Sequence, residues 1–268
     1  MAQSSSLNLS EICTQVSSLT LQVCDFIQGE SIGFDLNKIE RKSQTELVSY
    51  VDKESEKRLV EGLKKILPEA GFITEEATVE REDKKYVWVI DPLDGTTNFM
   101  HKLPPYSISV ALLEDKQVVA GVVHELNRNE CFTAWKGGGA YLNGRKITVA
   151  PTQQLSESLI VTGFPYNLLD KTDAYFEIIK AFVRDTHGVR RLGSAAVDLA
   201  YVACGRLDAY FEFNLKIWDV AAGILIVQEA GGKVTDFSGG EDYLSGREIV
   251  AANAIHSSVI DVVKQHWK

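Results

Sequence analysis

Val87-Trp88-Val89-Ile90-Asp91-Pro92-Leu93-Asp94-Gly95-Thr96-Thr97-Asn98-Phe99 is the stretch on which the reading of this chain turns. Its opening run is apolar and rich in β-branched residues, the pattern of a buried strand. Proline cannot continue a central ladder, so the strand is expected to stop at Asp91-Pro92. Two carboxylates, Asp91 and Asp94, then stand close together with Gly95 just behind them. Thr96 and Thr97 follow, hydroxyl residues of the kind that open helices. A strand ending in two acids beside a helix start with free N–H groups can hold a metal next to a phosphate. The same residues also serve as a turn former and a helix cap.

Upstream of this stretch, residues 10–27 predict an amphipathic helix with Ser10 as N-cap and Ile12, Val16, Leu19, Val23, Phe26 and Ile27 at helical spacing. Past Gly29 the chain turns polar, with Lys38, Arg41 and Lys42 ahead of an apolar stretch at 47–51. Asp52 is placed to cap a helix that runs through Leu67 and ends at Pro68. Gly71-Phe72-Ile73-Thr74-Glu75-Glu76 is a short apolar segment breaking into two acids, and residues 78–85 read as an exposed loop.

Downstream, from Tyr106, strands over 107–113, 117–126, 130–135 and 141–149 form a meander with turns at Glu114-Asp115, 127–129 and Asn143-Gly144. Such short spacing means antiparallel pairing. Beyond Pro151 strand and helix alternate: strand 158–162, helix 174–183, helix 195–204 stopped by Gly205, strand 207–213, helix 219–230, strands 233–236 and 248–253, and a last helix from Ser257. The change of pattern near 145–155 divides the chain into an N-terminal α+β half, 1–148, and a C-terminal α/β half, 149–268, packed as one unit.

Composition narrows the function classes. The chain has 268 residues, 45% hydrophobic and 24% charged, as in an ordinary globular protein with a substantial core. A net charge of −9 argues against a nucleic-acid surface. An acidic protein still binds an anion where metal ions supply local positive charge. Cys13, Cys24, Cys131 and Cys204 are scattered, without a CxxC, and read as reduced buried thiols. The start, Met1-Ala2-Gln3-Ser4-Ser5-Ser6, lacks the features of a signal peptide, and no apolar run approaches the roughly 20 residues of a membrane span. A cytoplasmic protein with neither nucleic acid nor membrane as partner is expected.

The acids single themselves out by their surroundings. Asp219 lies inside Ile217-Trp218-Asp219-Val220-Ala221-Ala222-Gly223-Ile224, where an unpartnered carboxylate is costly; a helix cap explains it as well as a metal does. Glu75 and Glu76 taken alone read as surface acids. Together, acids at strand ends and helix starts make a hard-oxygen set suited to Mg²⁺. No His or Cys joins them, which disfavours zinc.

At these residues the chain resembles the inositol monophosphatases. The stretch Asp91–Phe99 is similar to that family's first signature and Trp218-Asp219-Val220-Ala221-Ala222-Gly223 to its second. Phe72-Ile73-Thr74-Glu75-Glu76 resembles its upstream acid pair and Lys136-Gly137-Gly138-Gly139-Ala140 its glycine-rich hairpin. The resemblance runs in order from about residue 42 to the C-terminus. It implies a layered αβαβα sandwich, an N-terminal α+β half with an antiparallel sheet and a C-terminal α/β half, with the active site between them. It further implies a lithium-sensitive, Mg²⁺-dependent phosphatase working as a homodimer on a small phosphate monoester.

Carried onto this chain, the resemblance assigns Glu75, Asp91 and the Leu93 carbonyl to one Mg²⁺ and Asp91, Asp94 and Asp219 to a second, with room for a third ion near Glu75. Thr96 with Glu75 would orient the attacking water, and the N–H groups of Gly95 and Thr96 would hold the phosphate. Glu75, Asp94 and Thr96 are thus the catalytic set. Leu93, Asp94, Gly95, Thr96, Gly193, Ser194, Ala195, Glu212 and Asp219 line the substrate, with Glu212 accepting hydrogen bonds from inositol hydroxyls. Glu212 by itself reads equally as an exposed strand acid, and Ser194 as a simple N-cap. The ending Thr97-Asn98-Phe99 is the type found in the inositol enzymes. Departures are Glu125-Leu126 in place of an Asn-Pro turn, Lys216 just before Asp219, and a short segment between Glu76 and Asp91.

Myo-inositol 1-phosphate is the expected substrate. Fructose 1,6-bisphosphate or another sugar or polyol phosphate is the enzymatic alternative, with Arg190, Arg191 or Lys216 binding a second phosphate. An interaction protein in RNA synthesis, as some bacterial relatives are, is the alternative from another class.

Overall fold

The computed structural model describes residues 7–32, 39–41, 47–82, 84–164 and 170–267. Lys38 and Lys42 lie outside them. Helix α1 (Leu9–Ile32) starts earlier than the apolar periodicity indicates, because Asn8 and not Ser10 caps it: Asn8 Oδ1 accepts the Glu11 N–H at 3.2 Å. It also continues through Gly29, where tertiary bonds hold the last turns. Gln28 Nε2 donates to the Leu126 carbonyl at 2.7 Å, and the Tyr50 hydroxyl donates to Glu30.

A short hairpin of β1 (Ile39–Arg41) and β2 (Leu47–Ser49) leads into α2 (Tyr50–Ile66). Ser49 is the N-cap of α2, and Asp52 stands at its third position. The Asp52 side chain accepts the Ser49 N–H at 2.9 Å and the Ser49 hydroxyl at 2.5 Å. The expectation that Asp52 itself would be the cap is corrected by one turn.

The first sheet runs in the order β3 (Gly71–Thr74), β4 (Tyr86–Asp94), β5 (Ser107–Glu114), β6 (Gln117–Glu125), β7 (Glu130–Trp135), β8 (Gly139–Leu142) and β9 (Arg145–Ile147). All pairs are antiparallel except β3 with β4. The tight turn between β5 and β6 centres on Asp115 and Lys116, both at positive φ, one residue past the expected place. The expected strand over 141–149 is divided by the Asn143-Gly144 turn.

Nor does β4 stop at Pro92. Pairing moves from Asp91↔Ser109 to Asp94↔Ser107, so Pro92 and Leu93 together stand opposite Ile108. This is a β-bulge, where a missing N–H is tolerated, and β3 has already ended on the other side, pairing no further than Ile90. After the bulge comes the short helix α3 (Thr96–Met100).

In the second half β10 (Leu159–Thr162), α4 (Thr172–Asp185), β11 (Gly188–Arg190), α5 (Ala195–Ala203), β12 (Ala209–Phe213), α6 (Ile217–Glu229), β13 (Lys233–Thr235), β14 (Glu248–Ala252) and α7 (His256–His266) build a mixed sheet ordered β11-β10-β12-β14-β13. Strand β11 is too short and half-exposed to show in the pattern of residues.

Alternation along the strands sorts side chains into layers. Trp88 and Ile90 pack with α1 and α2, whereas Val87 and Val89 pack with α5 and α6. In β12, Tyr210 faces α5 and α6, whereas Ala209 and Phe211 face α4 and α7. The result is the expected αβαβα sandwich, with α5 and α6 as a middle layer that both sheets share. Among the described residues no helix is long and apolar enough to cross a membrane.

Candidate active site

The site forms where the C-terminal ends of β3 and β4 meet the first turns of α5 and α6. Asp91 shares a face with Val87 and Val89 by strand parity and so looks toward the middle layer. Asp94 would fall on the opposite face, but the one-residue bulge re-aims it. Its Oδ2 accepts the Ser194 hydroxyl at 2.7 Å and the Ala196 N–H at 2.8 Å, which makes Asp94 a cap for α5 from the other half of the chain. Ser194 is itself the N-cap, accepting the Val197 N–H at 3.3 Å, so the capping and site readings of Ser194 hold together. Glu75 follows β3 directly and is tied to β4 by its N–H to the Ile90 carbonyl at 3.2 Å. Asp219 is the third residue of α6, and its Oδ2 accepts the Lys216 N–H at 2.6 Å. It is not the first residue of the helix, as the expected span 219–230 had it.

These acids act on one another. Burial pushes Asp91 well above the usual carboxylate range, and the charges of Glu75, Asp94 and Asp219 push the same way. Asp219 is raised by burial and then by Asp94, against the Lys216 N–H. Burial raises Asp94 to about 6, opposed by Ser194, Ala196 and the Arg191 charge. Asp94, Glu212 and Asp219 nonetheless keep partial contact with solvent, so they line a cleft open to small molecules.

Among the described residues, no three His, Cys, Asp or Glu side chains are gathered so as to hold an ion as they stand. The donor chemistry still fits Mg²⁺. The groups are carboxylate oxygens, they repel one another at close range, and neither His nor Cys competes. Glu75, Asp91, Asp94, Asp219 and the Leu93 carbonyl are the groups that would hold it.

Thr96 has a partner that the sequence did not suggest. Its Oγ1 lies 2.9 Å from Asp52 Oδ1 and 3.1 Å from the Leu93 carbonyl oxygen. Asp52 is buried and its pKa is raised by that burial, against hydrogen bonds from Ser49 and Thr96. In sequence it looks only like a helix-start acid, and nothing in its spacing connects it to Thr96, 44 positions on. Neighbouring Gly95 sits at φ +95°, and a Cβ there would meet the Gly193 and Pro105 carbonyl oxygens at 3.1 and 3.2 Å. Gly193 and Ala195 flank Ser194 at the same helix start. Asn98, passed over as part of a motif ending, donates through Nδ2 to the Pro105 and Leu192 carbonyls, both at 2.8 Å, and so fastens α3 to the segment before α5.

Other features find their places around this cleft. Glu56 of α2 accepts the N–H groups of Glu76 and Thr78 at 2.7 and 2.8 Å, fixing the loop behind Glu75. The glycine hairpin lies away from the acids: the N–H groups of Gly137 and Gly139 donate to the Glu229 carboxylate, each at 2.8 Å, and hold the far end of α6. Glu125 builds the turn that an Asn-Pro pair would otherwise make, accepting from Asn127 and Arg128 at 3.0 and 2.7 Å. Burial raises Glu212 to about 7, opposed by the Tyr210 hydroxyl and helped by the nearby Asp94 charge, with Arg191 pulling the other way; Lys216 is exposed.

A layered αβαβα sandwich with a carboxylate-lined cleft at its middle layer is the class that fold and site define. The chain belongs to the inositol monophosphatase family, whose sequence model matches residues 9–268. It is 44% identical over 228 residues to the Nus factor SuhB of Pseudomonas aeruginosa, covering 82% of this chain and 83% of that one. With the inositol-1-monophosphatase of Mesorhizobium japonicum it shares 39% identity over 244 residues, covering 88% and 92%. The structure of inositol monophosphatase from Anabaena superposes with a TM-score of 0.87 at 34% identity, covering 97% of this chain and 98% of that one.

Proposed function

We propose that the protein hydrolyses phosphate monoesters with the help of two to three Mg²⁺ ions, and that myo-inositol 1-phosphate, giving myo-inositol and phosphate, is its foremost substrate. The observation that carries this reading is the convergence of Asp91, Asp94 and Asp219 with Glu75, each acid raising the next one's affinity for a positive charge. Bound at these residues, Mg²⁺ supplies positive charge against the phosphate oxygens and acidity to a bound water.

The chain's own residues do the rest. Thr96, held by Asp52, positions the water that attacks phosphorus, and Asp52 takes up proton density through the Thr96 hydroxyl. The P–O ester bond breaks and the departing oxygen takes a proton from solvent water. The N–H groups of Gly95 and Thr96 hold phosphate oxygens, and the two oxygens of Glu212 accept from a vicinal diol. The same reading takes the protein as a cytoplasmic homodimer.

Phosphate release across a substrate panel, with and without Mg²⁺ and Li⁺, tests the assignment. Fructose 1,6-bisphosphate turned over far faster than myo-inositol 1-phosphate would move the choice to a sugar phosphatase, with exposed Arg191 near the cleft as the second phosphate's partner. Asp94→Asn is expected to keep the fold and to lose Mg²⁺-dependent turnover by about two orders of magnitude or more; wild-type turnover in that variant refutes the site.

A second reading has one observation in its favour, the name Nus factor carried by relatives such as the Pseudomonas protein. It makes the chain an interaction protein in RNA synthesis. Complementation of a deletion strain by the inactive Asp94→Asn variant would support it.

A further inference from the structure

We propose that Tyr210 is a positioning residue that sets substrate preference, its hydroxyl and the bare backbone of Gly163 clamping the Glu212 carboxylate in the orientation that meets the substrate's hydroxyls. The inference rests on the reading above, in which Glu212 contacts the substrate.

Tyr210 and Glu212 are two apart on β12, so by strand parity both side chains leave the sheet on the face toward the middle layer. Tyr210 is fully buried, and its hydroxyl donates to Glu212 Oε2 at 2.7 Å. The same carboxylate packs directly against the bare Cα of Gly163. A Cβ on Gly163 would lie 2.0 Å from Glu212 Oε2 and 2.1 Å from Oε1, so only glycine leaves room for the carboxylate in this place.

Asp198 of α5 is buried, and among the described residues its Oδ1 has no hydrogen-bond partner. Burial, with the charges of Glu212 and Asp198 adding to it, keeps Tyr210 a neutral phenol able to donate. Among the described residues the Tyr210 hydroxyl is the side-chain donor that reaches the Glu212 carboxylate, and the bare Cα of Gly163 leaves that carboxylate its place. A buried carboxylate that loses a hydrogen bond of this kind forfeits both energy and a fixed orientation.

The experiment compares myo-inositol 1-phosphate with p-nitrophenyl phosphate, which has no hydroxyls for Glu212 to read. Tyr210→Phe removes one oxygen and keeps the ring. It is expected to raise KM for the inositol ester about tenfold with kcat changed less than about twofold, lowering the ratio of the two kcat/KM values about tenfold. Gly163→Ala, whose Cβ displaces the carboxylate, lowers the ratio in the same direction and carries the test if the Phe variant does not fold. Glu212→Gln separates the two levels. If it lowers the ratio while Tyr210→Phe and Gly163→Ala keep the wild-type value, the clamp is overturned and the substrate role of Glu212 stands. If Glu212→Gln also keeps the wild-type ratio, that role fails and the clamp fails with it.

Discussion

Thr96 has a single proton to give, and its two nearest acceptors are Asp52 Oδ1 and the Leu93 carbonyl. With the proton engaged there, the lone pairs of Thr96 face outward as acceptors, the arrangement that orients a water for attack. Replacing Asp52 by Asn makes the partner a donor as well and permits the reverse hydrogen bond. Asp52→Asn is therefore expected to lower kcat by about 10²-fold with little change in KM, measured by steady-state phosphate release. Thermal unfolding of the same variant separates this from the cap, since Asp52 also accepts from Ser49. The residue types of this pair were plain in the sequence. That they form a pair was not, because the partners are 44 positions apart.

At the scale of elements, the bulge in β4 and the short α3 behind it deliver Asp94 to α5. Pro92 was a sound signal that something happens to the strand; whether it ends or bulges depends on where β3 stops and how β5 pairs, which is set across the sheet. The same dependence explains α6. Its apolar run was legible, but its first turn is defined by the Lys216 N–H turning back to Asp219, a choice that local propensity does not dictate. Asn98 joins these elements through one buried and one part-buried carbonyl. Asn98→Ala leaves both unsatisfied and is expected to cost about 2–4 kcal/mol, read from denaturant unfolding at constant m-value. A cost below about 0.5 kcal/mol would mean that the fastening is not made in solution.

Across the whole molecule the acids of the cleft oppose the fold that gathers them. Asp91, Asp94 and Asp219 bind a proton more tightly folded than unfolded, so the native state carries the excess protons between the two pKa values. Stability from these groups is present below the unfolded value and falls as pH rises through the window, which for Asp94 runs from 3.8 to about 6. Mg²⁺ competes with those protons and relieves the repulsion that replaces them. The gain in Tm on adding Mg²⁺ is accordingly expected to be larger at pH 7.5 than at pH 5; an equal gain at both would place the ion elsewhere. Residue order alone determined the succession of strands and helices, the faces they bury, and the two motifs that carry the family resemblance, because apolar periodicity and turn chemistry act within a few residues. Only the tertiary structure decided that Asp52 meets Thr96, that Asp94 caps α5, and that the bare Cα of Gly163 makes room for Glu212. Each of those contacts joins separate elements through strand parity, a bulge or a missing side chain, and they form only when the layers close.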